Sequence, residues 1–510
     1  MRDDAGVAAE LDKLRNDAPL ILSPGSPLDS AREMVRRAYL HPEGRTLHHQ
    51  QDAFYSWRGT HYAEVPREVI RAAVYDFLDG ATCIVDDKPM PFNPNKSKVA
   101  NVLEALAAVT QLPDTAIAPA WLDAAQHLPA SEFLSCANGL LHLPTRVLTP
   151  ATPAFFGLNV VDYPYDAAAP KPVAWLEFLA SIWPNDRDSI DTLQELFGLL
   201  LTADTSQQKA FLIVGPKRSG KGTIARVQTA MLGKANVAGP TLSSLTQNFG
   251  LAPLIGKPLA IISDARLGGR SDASVVVERL LAITGEDAIT VDRKYREAWT
   301  GRLPTRFLLL TNELPRLADA SGALASRFII LVLTKSFYGK EDTALTGKLT
   351  AELPGILVWA IEGRDRLVKR GYFVQPASAQ QAADELADLS SPIGAFLRDC
   401  CNVGPSYAVD TDSLYYAWTS WCGDQHRDHP GTKHTFGRDL RAAVPGLNIT
   451  QPRDGGTGKR LRYYQGVGLV HPPPIKASHP ANADHDPSEP PKGRWPDDAD
   501  WYDDGISPAW

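Results

Sequence analysis

Short apolar runs rich in β-branched and aromatic residues recur through the second half of the chain: AFLIVG (210–215), PLAIISD (258–264), RFLLLTN (306–312) and RFIILVL (327–333). Segments of helical spacing separate them. Buried strands alternating with helices predict an α/β sheet covered on both faces. Before residue 190 the pattern is different. FYSWRGTHYAEV (54–65) reads as a strand pair around Gly59, and REVIRAAVYDFL (67–78) and NKSKVANVLEALAAVTQL (95–112) carry helical periodicity. SCANGLLHLPTRVLTP (135–150) reads as short strands with a turn at Asn138-Gly139, and 173–183 and 189–202 as helices. Near the end, 413–426 and 433–446 read as two helices followed by a Gly-tipped hairpin at 455–470, the pattern of a winged helix.

Composition narrows the class. With 44% hydrophobic and 22% charged residues among 510, the chain has the make-up of an ordinary soluble protein. No apolar run approaches the ~20 residues that span a bilayer, and the charged N-terminus lacks a signal-peptide core. Cys83, Cys136, Cys400, Cys401 and Cys422 form no CxxC pair, so reduced thiols in a cytoplasm are expected. Cys422, His426, His429 and His434 match no zinc-finger spacing. The net charge of −7 arises largely in the Pro-rich tail, which leaves a near-neutral body able to hold a basic channel. Residues 1–45 are expected to be a weakly ordered lead-in. Residues 470–510 are expected to be a disordered acidic tail, solubilising or docking replication proteins through Trp501, Tyr502 and Trp510.

The sharpest chemical signal is Gly215-Pro216-Lys217-Arg218-Ser219-Gly220-Lys221-Gly222-Thr223, between a strand and a helix. Such a loop turns backbone N–H groups towards phosphate oxygens, the helix N-terminus adds its dipole, and Lys221 reaches the β- and γ-phosphates. ATP with Mg²⁺ is the expected ligand. The position after the lysine, normally Ser or Thr and a Mg²⁺ ligand, is Gly222 here, so Thr223 is the expected metal contact. Asp264, at the end of an apolar run, is the expected second Mg²⁺ ligand and water activator. Asn312, ending the next run, is suited to orient the water. Arg327 is suited to reach a neighbouring subunit's ATP.

In order, TADTSQQKAFLIVGPKRSGKGT, LLAITGEDAITVDRKY, RFLLLTNELPRL, SGALASRFIILVLTKSF and LTAELPGILVWAIEG resemble the motifs of superfamily 3 helicases of the satellite-phage and poxvirus primase-helicase type. The resemblance implies an AAA+-like P-loop core over 191–375 and a mostly helical N-terminal domain over 46–190; the helix and hairpin pattern predicts the winged-helix-like module at 391–469. The resemblance also implies a hexameric ring moving 3′→5′ on single-stranded DNA in a bacterial host cytoplasm. A hairpin projecting into the ring's channel is implied around Tyr295, so Lys294 is the foremost expected DNA contact, followed by Arg293 and Arg296. Lys433, Arg438, Arg441, Lys459, Arg460 and Arg462 would give the last module a basic face for duplex or forked DNA. No carboxylate triad for primer synthesis is evident, so helicase without primase is expected. Two other readings compete: an ATP-switched DNA-binding initiator, and a nucleoside monophosphate-type kinase suggested by the Gly-Lys-Gly-Thr ending.

Overall fold

The computed structural model describes residues 19–263, 270–315, 317, 319, 322–425, 430–451 and 462–470. The chain divides into two units, residues 1–399 with 431–447, and residues 400–430 with 448–510.

In the first unit, α1 (Pro27–Ala38) buries Ala31, Met34 and Val35, an i, i+3, i+4 stripe. Strands β1 (Leu47–Gln50), β2 (Ala53–Trp57) and β3 (Tyr62–Val65) form an antiparallel meander that buries Leu47, Phe54, Tyr62 and Val65. Helix α2 (Arg67–Asp79) contributes Ile70, Val74 and Leu78 to the same core. Helix α3 (Lys96–Thr110) adds Val99, Val102, Leu103 and Leu106 and is capped by Asn95, whose side chain accepts from the Lys98 N–H. Further on, β4 (Phe133–Cys136) and β5 (Gly139–His142) make a hairpin whose two-residue turn is Ala137-Asn138, one place earlier than expected, because Gly139 already pairs with Cys136. A parallel strand, β6 (Val160–Val161), adds to β4. The region 46–190 is therefore mixed rather than mostly helical; the alternating apolar positions at 53–65 and 133–142 pair as strands. Leu134, Cys136, Leu141 and Val161 join the main core, alongside Phe211 and Leu308.

Between residues 173 and 370 lie α4 (Val173–Ile182), α5 (Arg187–Leu199), β7 (Ala210–Val214), α6 (Lys221–Leu232), β8 (Val237–Ala238), β9 (Leu259–Ser263), α7 (Arg270–Thr284), β10 (Ile289–Arg293), β11 (Arg296–Gly301), β12 (Arg306–Thr311), α8 (Ala323–Arg327), β13 (Phe328–Val332), α9 (Leu345–Thr350) and α10 (Leu353–Arg370). Five of the strands form a parallel sheet in the order β8-β9-β12-β7-β13. Period-two alternation feeds two cores: Phe211, Ile213, Leu308, Leu310, Ile329 and Leu331 enter one, while Leu212, Phe307, Leu309 and Ile330 enter the other. The four runs are apolar throughout because both faces are covered. On one face α5 and α10 meet at glycines: a Cβ on Gly198 would lie 2.4 Å from the Ala360 carbonyl oxygen, and one on Gly363 2.3 Å from that of Gln194. Glu195, buried at this crossing, pairs with Arg366 and Arg370.

Helices α11 (Gln380–Ser390) and α12 (Pro392–Cys400) follow. The second unit holds β14 (Cys401–Asp410), α13 (Thr411–Asp424), and, after the return of the chain through α14 (Lys433–Ala443) in the first unit, β15 (Asn448–Thr450) and β16 (Tyr463–Leu469). Its antiparallel sheet runs β14-β16-β15. Asp410 caps α13 by accepting from the Asp412 and Ser413 N–H groups. The stretch 391–469 thus divides between the two units. Lys459, Arg460, His426, His429 and the acidic tail lie outside the described residues. No helix among the described residues is long and apolar enough to cross a membrane, and no cluster of His, Cys, Asp and Glu among them could hold a metal ion.

Candidate functional site

Ligands of open parallel sheets bind beyond the carboxyl ends of the strands, where the connections part to opposite sides. From β7 the chain crosses to the β8 edge, and from β12 it returns past β7 to β13. The loop after β7 and the residue after β12 flank that point.

The 215–220 loop begins where the Gly215 N–H donates to the Thr311 carbonyl at 3.2 Å. A Cβ at Gly215 would sit 2.5 Å from the Leu333 carbonyl oxygen, so only glycine fits. The backbone then turns through left-handed conformations at Arg218 (φ 61°) and Gly220 (φ 103°) and enters α6 at Lys221. The carbonyls of Lys217 and Arg218 point away from the loop, accepting from the Ser336 hydroxyl at 2.8 Å and the Phe337 N–H at 2.9 Å. Among the described residues, no backbone carbonyl accepts from the N–H groups of 217–222. A turn of free amides at a helix N-terminus is a cradle for an anion.

Lys221 folds back over this loop. Its ammonium donates to the Gly215 carbonyl at 2.5 Å, the Pro216 carbonyl at 2.8 Å, the Ser219 hydroxyl at 3.3 Å and the Asn312 side-chain oxygen at 3.1 Å. Asn312 arrives there because β12 lies beside β7 in register, Thr311 opposite Val214. Every acceptor is neutral, and burial pulls the Lys221 pKa below the ordinary lysine value. A half-buried cation without a carboxylate is electrostatically complementary to an incoming anion. Around it opens a cavity of about 1000 Å³, lined by the loop, Phe178, Asn312, Phe337, Lys340 and Lys348. That is ample for a nucleotide.

Thr223 lines the same cavity, whereas Arg327 does not. Thr223 is buried, and its hydroxyl accepts from Arg226 at 3.1 Å. Asp264 lies outside the described residues; β9, which leads to it, ends at Ser263 beside Leu310 of β12. Arg327 stands at the opposite end of the sheet from the loop, since Phe328 pairs with Ala210 at the start of β7. Its guanidinium donates to the Gln208 side chain at 2.9 Å and to the Thr284 carbonyl at 3.0 Å. The length of β7, roughly 15 Å at ~3.3 Å per residue, separates it from Lys221 and Asn312 in the same chain.

Lys294 and Tyr295 form the tip of the β10–β11 hairpin, with Arg293 and Arg296 as the last cross-strand pair. Tyr295 has φ 60° and is 93% exposed, and the Lys294 ammonium lies 5.0 Å from its ring centroid. The two arginines are engaged lower down. Arg293 donates to the Glu297 carbonyl at 2.8 Å and to the Gln51 carbonyl at 3.0 Å, and Arg296 pairs with Glu64 at 2.6 Å. Donation to the Glu64 carboxylate raises the Arg296 pKa. Gln51 and Glu64 are distant in sequence, and nothing in their own surroundings along the chain marks them. Arg226, by contrast, could have been found as the residue four after Gly222.

Residues 33–184 match a family described as "D5 N terminal like", and residues 213–327 match a family of unknown function, DUF5906. Among solved structures, the apo structure of NrS-1 C terminal region (305-718) is similar at 10% identity and a TM-score of 0.47, over 87% of this chain and 99% of that one. The A form apo structure of the same region is similar at 10% identity and a TM-score of 0.45, over 86% and 99%.

Proposed function

We propose that the chain is an ATP-hydrolysing motor that moves along single-stranded DNA as a ring, in phage or plasmid replication. The observation that carries the reading is the contact between Lys221 and Asn312 across a loop of free amides. A lysine that grips the terminal phosphate, next to an amide able to orient the attacking water, is a hydrolytic arrangement. Binding of the triphosphate would draw Lys221 from its carbonyl acceptors to the phosphate and leave Asn312 free to hold water. Magnesium would be held from the β9 side, where Asp264 follows Ser263; its charge would lower the cost of charge build-up on the γ-phosphoryl group.

Two further observations support assembly and DNA contact. Arg327 faces away from its own cleft, the disposition required of an arginine that completes a neighbour's site. The exposed Lys294-Tyr295 tip offers a charge for a phosphate and a ring for a base. The D5 N-terminal-like match over 33–184 accords with the resemblance of the later motifs to superfamily 3 helicases. A kinase would need an acceptor site beside the γ-phosphate, and no observation favours one. A switch-type initiator would need the cradle and Lys221 but not Asn312.

The test measures ATP hydrolysis with and without single-stranded DNA, and unwinding of a forked duplex. Wild type is expected to hydrolyse ATP, faster with DNA, and to unwind; Lys221→Ala is expected to do neither. Binding without turnover in the wild type would favour the initiator, and turnover indifferent to DNA would favour the kinase.

A further inference from the structure

Gly222 occupies the place where a phosphate-binding loop of this spacing carries Ser or Thr. A side chain there would crowd Arg226. A Cβ built on Gly222 would lie 3.3 Å from a terminal nitrogen of Arg226. Side chains on a helix lean towards its N-terminus and over the residue four before. Arg226 does so, bringing its guanidinium back along α6 to the mouth of the loop, where it lines the cavity. It donates to the Thr223 hydroxyl at 3.1 Å and to the Thr346 hydroxyl at 3.1 Å, and among the described residues no carboxylate pairs with it. Both partners are neutral; Glu177, Glu341 and Asp342 line the same cavity, but none of them pairs with this guanidinium.

This arrangement does not fit a metal ion held by Thr223. The hydroxyl already accepts from a guanidinium, and a divalent cation bound to it would sit beside a second positive charge. We propose instead that Arg226 binds the polyphosphate of the nucleotide, its guanidinium standing in for the metal-binding hydroxyl that Gly222 lacks, so that triphosphate binding survives removal of divalent cations. Planar N–H donors match phosphate oxygens in pairs, and such charge-assisted bonds are roughly twice as strong as neutral ones. The inference rests on the cleft being a nucleotide site.

The experiment titrates a fluorescent ATP analogue into the full chain, once with Mg²⁺ and once with EDTA. Wild type is expected to retain binding in EDTA. Arg226→Ala is expected to bind about 10-fold or more weakly there, the worth of a lost charge-assisted contact. Arg226 is exposed and its side chain bonds the Thr223 and Thr346 hydroxyls, so the variant should fold, as circular dichroism would check. Adding Gly222→Ser to Arg226→Ala should restore affinity in Mg²⁺ and not in EDTA, because a hydroxyl needs the metal. A wild type that loses measurable binding in EDTA, or an Arg226→Ala loss smaller than about 10-fold, overturns the proposal. Lys221→Ala separates the two levels: if it binds as tightly as wild type in Mg²⁺, the nucleotide reading itself fails; if it alone loses binding, only the role of Arg226 does.

Discussion

Lys221 opens the helix that follows a parallel strand and Lys294 tips a hairpin, and their surroundings differ in nearly every respect. Lys221 is half buried, fixed by four neutral oxygens and partly desolvated. Lys294 stands in solvent at a hairpin tip, with only the Tyr295 ring beside it. A desolvated, fixed cation binds one anion in one geometry. A solvated cation on a short arm binds a phosphate chain loosely, at a strength that salt sets. The difference is what separate tasks demand: recognition of a single terminal phosphate in one place, and a grip that can be released and renewed in the other.

The largest expected effect tests whether the cleft is complete within one chain. Arg327 lies a full strand length from Lys221. If it serves a neighbour's cleft, Arg327→Ala should bind nucleotide within a few-fold of wild type while turnover falls by about 10³-fold. Mixing it with wild type should depress activity beyond dilution. Activity in such mixtures that tracks the wild-type fraction linearly would assign each cleft to its own chain and break the comparison at its first term.

How much of this was legible in the sequence follows from range along the chain. The phosphate loop could be read because every element it needs lies within residues 210–232, strand, glycines, lysine and helix alike. The parallel runs were legible as strands because burial on both faces leaves no polar positions. Their order was not: that Asn312 meets Lys221 depends on β12 inserting between β9 and β7, a pairing no local pattern encodes. The meander at 47–65 was half seen, as a strand pair around Gly59, while its first strand, Leu47-His48-His49-Gln50, is too polar to announce itself. The docking of Arg293 and Arg296 on Gln51 and Glu64 spans more than two hundred residues and left no trace in the spacing.

A second prediction sharpens the contrast through pH. Burial lowers the Lys221 pKa from 10.5, and a bound phosphate would raise it again. Nucleotide binding therefore takes up a proton once the pH exceeds the free-state pKa, and affinity should fall as pH rises through that value, beginning below 10.5. The charged form is the one penalised by burial, so folding stability should move the opposite way, rising slightly over the same window. Isothermal titration across pH 7.5–10 should show the decline in wild type and none in Lys221→Met. An equal decline in both would put the titrating group elsewhere.

Next in size is the hairpin tip. Tyr295 holds a bulky ring in a left-handed turn, a conformation that costs a side chain roughly 1 kcal/mol, and the ring stands exposed beside the Lys294 ammonium. If it stacks on a base, Tyr295→Ala should weaken single-stranded DNA binding about 10-fold or more. It should leave nucleotide affinity without DNA unchanged. Lys294→Ala should act differently, flattening the dependence of affinity on salt by about one unit per contact. Equal salt slopes for both variants would mean that the ring and the charge are not separate contacts.

The smallest effect concerns what the hairpin gives up when DNA arrives. Arg296 is paired with Glu64 at 2.6 Å on a surface where both side chains stay partly open, and exposed pairs of this kind contribute about 0–1 kcal/mol. A phosphate approaching the tip competes with the Glu64 carboxylate for the same guanidinium and is repelled by that carboxylate as well. Glu64→Gln keeps the shape and removes the charge, so it should tighten single-stranded DNA binding a few-fold at low salt. The gain should vanish when the Debye length shrinks to ~3 Å near 1 M salt. Stability should scarcely change, because Arg296 retains solvent. Weaker binding in Glu64→Gln would show that the pair props the hairpin in its DNA-ready position, so that the meander serves the tip as scaffold and not as competitor.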